Sequence, residues 1–200
     1  MNRVNTSAVQ WRENCSCFYD FLYENILDWP VTSVQWGPLL QETPEFSLQR
    51  LYFSCKTDGI YNSHDNSWTH TPNYIVMANL EIPTPDHYFI NDLKALFNHE
   101  AAKKHPNLKV KQIITHPGEI TVIRSSPMNR KLLASKSDNN MVYLWTSDKY
   151  KLNSLNNSPS VPDITLMATK SEKHNYALRF TPSLPKIISA SADKLELFDI

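Results

Sequence analysis

Near the start of the chain, apolar residues recur at spacings of three and four: Val4, Ala8, Trp11, Cys15, Phe18, Leu22 and Ile26. That spacing predicts an amphipathic helix over residues 4–28, its stripe widened by Phe21 and Leu27. Pro30 cannot continue a helix, and Trp29 before it is pushed towards extended geometry, so the helix is expected to stop near Asp28. Beyond Pro30 the period changes to two. Residues 32–36 alternate polar and apolar and stop at Gly37-Pro38. Residues 50–54 form a second β-rich run, closed by Lys56-Thr57-Asp58-Gly59. Residues 74–82 are the longest strand candidate and end at Pro83. Between these runs, residues 60–73 are a polar Asn/Ser/His mixture, expected to be an exposed loop.

Residues 84–111 differ from their surroundings. Phe89, Leu93, Leu96 and Phe97 fit a short helix, and Lys103, Lys104, Lys109 and Lys111 make a small basic segment. An insertion between strand groups is expected there. From Gln112 the β pattern resumes and runs to Ile200.

Two segments of this later part superimpose at a constant offset of 55 residues: 123–138 on 178–193. Arg124 falls on Arg179, Pro127 on Pro182, Lys131 on Lys186 and Asp138 on Asp193, with paired aliphatics between them. Each copy then enters an alternating strand with an aromatic near its end, Trp145 in one and Phe198 in the other. Strand, Pro turn, apolar strand, Ser/Asp turn and strand form the body of a four-stranded propeller blade, whose period is about 40–45 residues. Residues 34–38 and 74–82 look like an earlier, more divergent copy. The predicted fold class is mainly β: an N-terminal helix (1–30), a first blade (31–83), an inserted loop or short helix (84–111), a second blade (112–150) and a partial third blade (151–200). That is about two and a half to three blades.

Composition narrows the chemistry. The chain has Gly 3 against Pro 13 in 200 residues. Gly37, Gly59 and Gly118 are isolated, so neither a dinucleotide-binding fingerprint nor a P-loop can be written. Tight turns with positive φ then fall to Asn and Asp, as at Asn139-Asn140, Asn156-Asn157, Asp58 and Asp193. Twenty basic and twenty acidic residues leave a formal net charge of zero, which argues against direct nucleic-acid binding. No apolar run is long enough for a membrane span, and the first residues lack the apolar region of a secretory signal. Cys15, Cys17 and Cys55 make an odd count, the pattern of a reduced cytosolic or nuclear protein. Cys15-Ser16-Cys17 has the wrong spacing for a metal knuckle, and no second pair follows. No zincin helix and no nucleophile elbow occur. No catalytic residue, metal site or cofactor is therefore expected, and Cys55 is expected to be a buried structural thiol.

The passages around Phe18, Phe21 and Leu22, Leu27-Asp28-Trp29-Pro30 and Val34-Gln35-Trp36-Gly37-Pro38 resemble the histone-binding WD40 proteins of the multicopy-suppressor-of-IRA and retinoblastoma-binding type. Residues 49–54, Lys56-Thr57-Asp58-Gly59, 97–101 and His116-Pro117-Gly118-Glu119-Ile120 resemble the plant FVE-like branch more closely. The resemblance implies a seven-bladed propeller behind an N-terminal helix, and hence a fragment or truncated form here. It implies a non-enzymatic nuclear scaffold whose partners are histones H3 and H4 and the subunits of histone deacetylase or Polycomb-type complexes. By resemblance, Phe18, Phe21 and Leu22 line a groove for a helix of H4, and Glu119 and Tyr176 face the basic H3 tail. The chain departs from the family's pattern at Thr121, where Asn is usual, at His174, where Glu is usual, and at Tyr74, where His occurs. The alternatives are a WD40 adaptor for a ubiquitin ligase or another non-histone complex, and a truncated product without binding of its own. The adaptor is disfavoured because Trp145-Thr146 lacks the usual Asp and the Arg after it. Both repeats also lack the Gly-His that commonly precedes a WD40 strand, with His116-Pro117 and Lys170-Ser171 in those regions.

Overall fold

A computed structural model describes residues 10–11, 14, 23, 25–65, 67–84, 108–150, 160–168, 177–191 and 194–200. Thirteen strands among them form three antiparallel sheets and a small hairpin. The first sheet has the order β1 (Val31–Glu42), β2 (Phe46–Cys55), β5 (Tyr74–Pro83), β6 (Lys109–Thr115). Between β2 and β5, β3 (Tyr61–Asn62) and β4 (Ser67–Trp68) pair as the hairpin. The second sheet is a meander of β7 (Ile120–Ser125), β8 (Leu132–Ser137), β9 (Met141–Thr146) and β10 (Ile164–Met167). The third contains β11 (Ala177–Phe180), β12 (Lys186–Ala190) and β13 (Leu195–Asp199).

The period of two decides how the sheets stack. Successive side chains of a strand point to opposite faces, so one strand serves two cores. In β9, Tyr143 and Trp145 join Tyr52, Ile75, Met77 and Ile114 of the first sheet. Its alternate residues, Val142 and Leu144, pack on Leu178, Phe180 and Ile187 of the third. The second sheet is thus buried on both faces. Side chains also tie the sheets together at their first strands. Thr32 Oγ1 donates to the Ile120 carbonyl at 2.8 Å, and Ser125 Oγ donates to the Trp36 carbonyl at 2.9 Å. Lys136 of β8 is fully buried, and its Nζ donates to Ser189 Oγ at 2.7 Å and to the Ala190 carbonyl at 2.9 Å in β12. Burial pushes the Lys136 ammonium below its ordinary pKa, and the Glu196 carboxylate opposes that shift.

Several expectations change. The helix over 4–28 falls mostly outside the described residues; Gln10, Trp11 and Asn14 are helical, whereas Tyr23 and residues 25–27 are not. The apolar spacing therefore overran. Ile26 is 91% exposed, so the end of the stripe has no surface to pack on, and packing supplies most of a helix's stability. Trp29 instead packs against the cluster of Phe53, Cys55, Val76 and Ala78. Residues 60–73 are not simply an exposed loop, because the β3–β4 hairpin lies there and Trp68 and Asn73 are 5% and 4% exposed. The first sheet continues past residue 83 to take in Lys109–Thr115, and the second past 150 to take in Ile164–Met167. β6 begins Lys-Val-Lys with three exposed residues, so it carries the polar look of an outer edge strand. The short helix expected around Phe89–Phe97 lies outside the described residues. The offset of 55 does align β7 with β11 and β8 with β12, to within two residues at their ends.

Candidate functional site

Three connections meet at one end of the first two sheets: residues 56–73 between β2 and β5, 116–119 between β6 and β7, and 138–140 between β8 and β9. The register places them together, since Cys55 pairs Tyr74, Tyr74 pairs Thr115, and Ile120 pairs Ser137. Asn73 is the pin. Its backbone carbonyl accepts from His116 N at 2.9 Å, its Oδ1 from Thr57 N at 2.9 Å, and its Nδ2 donates to the Gly118 carbonyl at 3.3 Å. Gly118 has φ 90°, a left-handed conformation that needs glycine. Asn140 has φ 63° in the β8–β9 turn, the role expected of Asn139-Asn140.

Beneath these loops lies a buried polar bracket. Trp145 Nε1 donates to Ser135 Oγ at 2.8 Å, and Ser135 Oγ lies 2.8 Å from His116 Nε2. The serine hydroxyl has one proton, and the indole already donates to its oxygen. His116 Nδ1 lies 3.2 Å from the Gly118 carbonyl, which can only accept, so the proton of the neutral ring sits on Nδ1 and the Ser135 hydroxyl donates to Nε2. Burial drives the His116 pKa down to about 3, so the ring is neutral at physiological pH. All three residues are 0% exposed, which closes the Ser135 hydroxyl to any substrate. The absence of Gly-His before β7 therefore did not cost the fold this histidine: His116 follows Thr115 rather than glycine.

Of the sequence-predicted site residues, Glu119 is placed by the structure. It is partly exposed, its backbone N donates to Asp138 Oδ1 at 3.0 Å, and its carboxylate pairs with Lys56 Nζ at 2.9 Å. Both partners of that ion pair are more than a third exposed, so water screens it and it is worth little. Thr121, where the resemblance expects Asn, is half-buried, and its hydroxyl donates to the Lys136 carbonyl at 3.1 Å. Phe18, Phe21, Leu22, Tyr176 and His174 lie outside the described residues. Cys55 is a free, buried thiol 3% exposed, and burial pushes its pKa up.

A cleft of ≈ 450 Å³ opens beside Glu119, walled by the β3–β4 hairpin on one side and by Gly118, Glu119, Asp138 and Asn139 on the other. Asp58, Tyr61, Trp68 and Asp138 also line the cleft, which the sequence alone does not mark. The carboxylates belong to ordinary turn sequences, and the two aromatics sit in a run polar enough to look like solvent-exposed chain. Among the described residues no group of His, Cys, Asp and Glu is arranged to hold a metal ion, and no helix is long and apolar enough to cross a membrane.

Residues 8–84 match the family described as histone-binding protein RBBP4 or the C subunit of the CAF1 complex. The WD-40 repeat-containing protein MSI4 of Arabidopsis thaliana is 32% identical over 193 residues, which is 96% of this chain and 35% of that protein. The Histone acetyltransferase type B subunit 2 of Aspergillus oryzae is 25% identical over 209 residues, 98% of this chain and 45% of that protein. The protein of the same name from Schizosaccharomyces pombe is 22% identical over 185 residues, 92% of this chain and 40% of that protein. The chain is thus similar to histone-binding WD40 proteins over nearly its whole length, and it spans less than half the length of these relatives.

Proposed function

We propose that this chain is a non-enzymatic histone-binding WD40 scaffold that works in the nucleus within chromatin-modifying or chromatin-assembly complexes. The observation that carries the reading is the match of residues 8–84 to the histone-binding family. The three sheets are read as consecutive propeller blades, with units at 31–115, 120–167 and 177–200, behind an N-terminal helix. Phe18, Phe21 and Leu22 of that helix supply the near wall of a groove for a helix of H4. Glu119 and Tyr176 belong to a face that takes the basic tail of H3. A carboxylate pairs with lysine or arginine through charge-assisted hydrogen bonds, and Glu119 is held at the meeting point of three loops where a chain can reach it. Histone deacetylase and Polycomb-type assemblies are the proposed larger partners, in which the chain presents fixed surfaces and transfers no group.

The test is calorimetric titration of the 200-residue chain with an H3 peptide (residues 1–20) and an H4 helix peptide. Both are expected to bind. Glu119→Lys is expected to weaken H3 about tenfold, the loss of roughly 1.4 kcal/mol of charge-assisted bonding, and to leave H4 unchanged. Absence of binding to both peptides would sink the histone reading. An unchanged H3 affinity in Glu119→Lys would remove Glu119 from the site.

A further inference from the structure

The carboxylate that the histone reading offers to H3 is already in use. Glu119 Oε1 accepts from Lys56 Nζ at 2.9 Å, and that lysine comes from another loop, 63 residues away in sequence. The backbone under both side chains is fixed. Lys56 N donates to the Pro30 carbonyl at 3.0 Å, and the N–H of the next residue, Thr57, donates to Asn73 Oδ1 at 2.9 Å. Glu119 N donates to Asp138 Oδ1 at 3.0 Å, while its carbonyl accepts from Asp138 N at 3.0 Å and from Ser137 Oγ at 3.1 Å. Two side chains that start from pinned backbone lose less freedom on meeting than two on loose chain. The pair therefore forms readily, yet water reaches both partners and holds its strength down. A second cation can displace such a contact, but it feels it. A lysine or arginine arriving at Glu119 meets the Lys56 ammonium at close range, where like charges near a protein surface repel. At longer range the Lys56 charge offsets the field by which Glu119 draws a basic chain in.

We propose that Lys56 is a built-in competitor for the Glu119 carboxylate: its ammonium stands where the cation of a basic peptide has to bind, and it holds down the affinity for that peptide. The proposal rests on the histone reading, which brings the basic tail of H3 to Glu119, and adds a residue that nothing in that reading requires. The peptide's cation either displaces Lys56 or shares the carboxylate with it, and each route costs binding free energy. Neutralising residue 56 removes both costs. A repulsive group set beside an attractive one limits how strongly a charged site binds, and so how selectively.

The test is calorimetric titration of the 200-residue chain with the H3 peptide (residues 1–20) at low ionic strength, where surface charges are least screened. Lys56→Gln is expected to bind about threefold to tenfold more tightly than wild type. Lys56→Arg keeps the charge and is expected to bind as wild type does. Two controls separate the contact from the mere loss of one positive charge. Lys131 is likewise exposed and ion-paired, with Asp148, but it precedes β8, at the opposite end of that strand from Asp138. Lys131→Gln is expected to stay within about twofold of wild type. In a Glu119→Gln background, Lys56→Gln is expected to gain less than about twofold. If wild type binds H3 and Lys56→Gln binds it no better, the competitor is overturned and the histone reading stands. The same holds for an equal gain in Lys131→Gln, which is a bulk-charge effect, for an equal gain in Lys56→Arg, and for a full gain without Glu119. If H3 binds Lys56→Gln but not wild type, the lysine closes the site outright and the proposal is upheld. If H3 binds none of these proteins, the histone reading and the competitor fall together.

Discussion

His116 shows how one residue can set a pH dependence. Its imidazole is sealed between Ser135, Trp145 and the edge-on ring of Tyr143, with His116 and Tyr143 centroids 5.1 Å apart at 89°. In the folded chain its pKa falls to about 3 from an ordinary 6.5, so the folded state stays neutral where the unfolded chain takes up a proton. The unfolded state then binds more protons, and stability must fall as pH falls through the window from about 6.5 to about 3. Denaturant unfolding is expected to show wild type losing about 1 kcal/mol more than His116→Gln between pH 6 and pH 5. A parallel loss in both proteins would place the effect elsewhere. The same bracket makes Ser135 expensive to lose. Ser135→Ala leaves the Trp145 N–H and the His116 Nε2 buried without partners, which is expected to cost about 2–4 kcal/mol in a urea titration. Gly118 adds a backbone constraint, and Gly118→Ala at φ 90° is expected to cost about 1–2 kcal/mol.

At the scale of elements, what the sequence reveals depends on how long each signal runs. β5, β7 and β9 are apolar-rich runs of six or more residues, long enough to be recognised, and β8 is marked by the repeat. β11 through β13 are shorter, but the repeat at offset 55 marks them by comparison with their neighbours. The β3–β4 hairpin has two residues on each side, too few for any period, and it was hidden in a polar run. The site shows the same contrast. Glu119 stands out through its resemblance-bearing motif, whereas Lys56 reaches it across 63 residues of sequence and Asn73 reaches its neighbour Gly118 across 45. Only the strand order brings them together. Lys136 is a further case: a lysine in strand β8 looks solvent-facing by residue type, yet its Nζ is enclosed by β12. Removing it takes the buried donor away from Ser189 Oγ and the Ala190 carbonyl. Lys136→Ala is expected to cost about 3 kcal/mol and to lower amide-exchange protection in the third sheet more than in the first. Uniform loss of protection would show that the lysine is not a link between particular sheets.

At the scale of the molecule, the stack has two outer faces, and both are partly apolar. On the first sheet Val34 and Trp36 are 61% and 50% exposed, beside the buried cluster around Phe53 and Val76. On the third sheet Leu195 and Leu197 are 73% and 55% exposed. Register explains the second case. Leu197 pairs with Ile188 and Leu195 with Ala190, so all four share one face, while Ile187 faces the second sheet. β8 carries the corresponding pattern at the offset of 55, and there both faces are covered. The third sheet is therefore built to be packed on both sides, and in the isolated 200-residue chain one side meets water. Such a face binds apolar dyes. The chain is expected to raise the fluorescence of anilinonaphthalene sulfonate in the native state. Leu195→Lys with Leu197→Lys is expected to lower that signal by about half while leaving the far-ultraviolet circular dichroism and the unfolding midpoint nearly unchanged. Exposed apolar side chains contribute little to stability where they stand, so their loss removes dye binding without loosening the core. A large fall in the midpoint would instead mean that these leucines are covered in solution by another part of the chain.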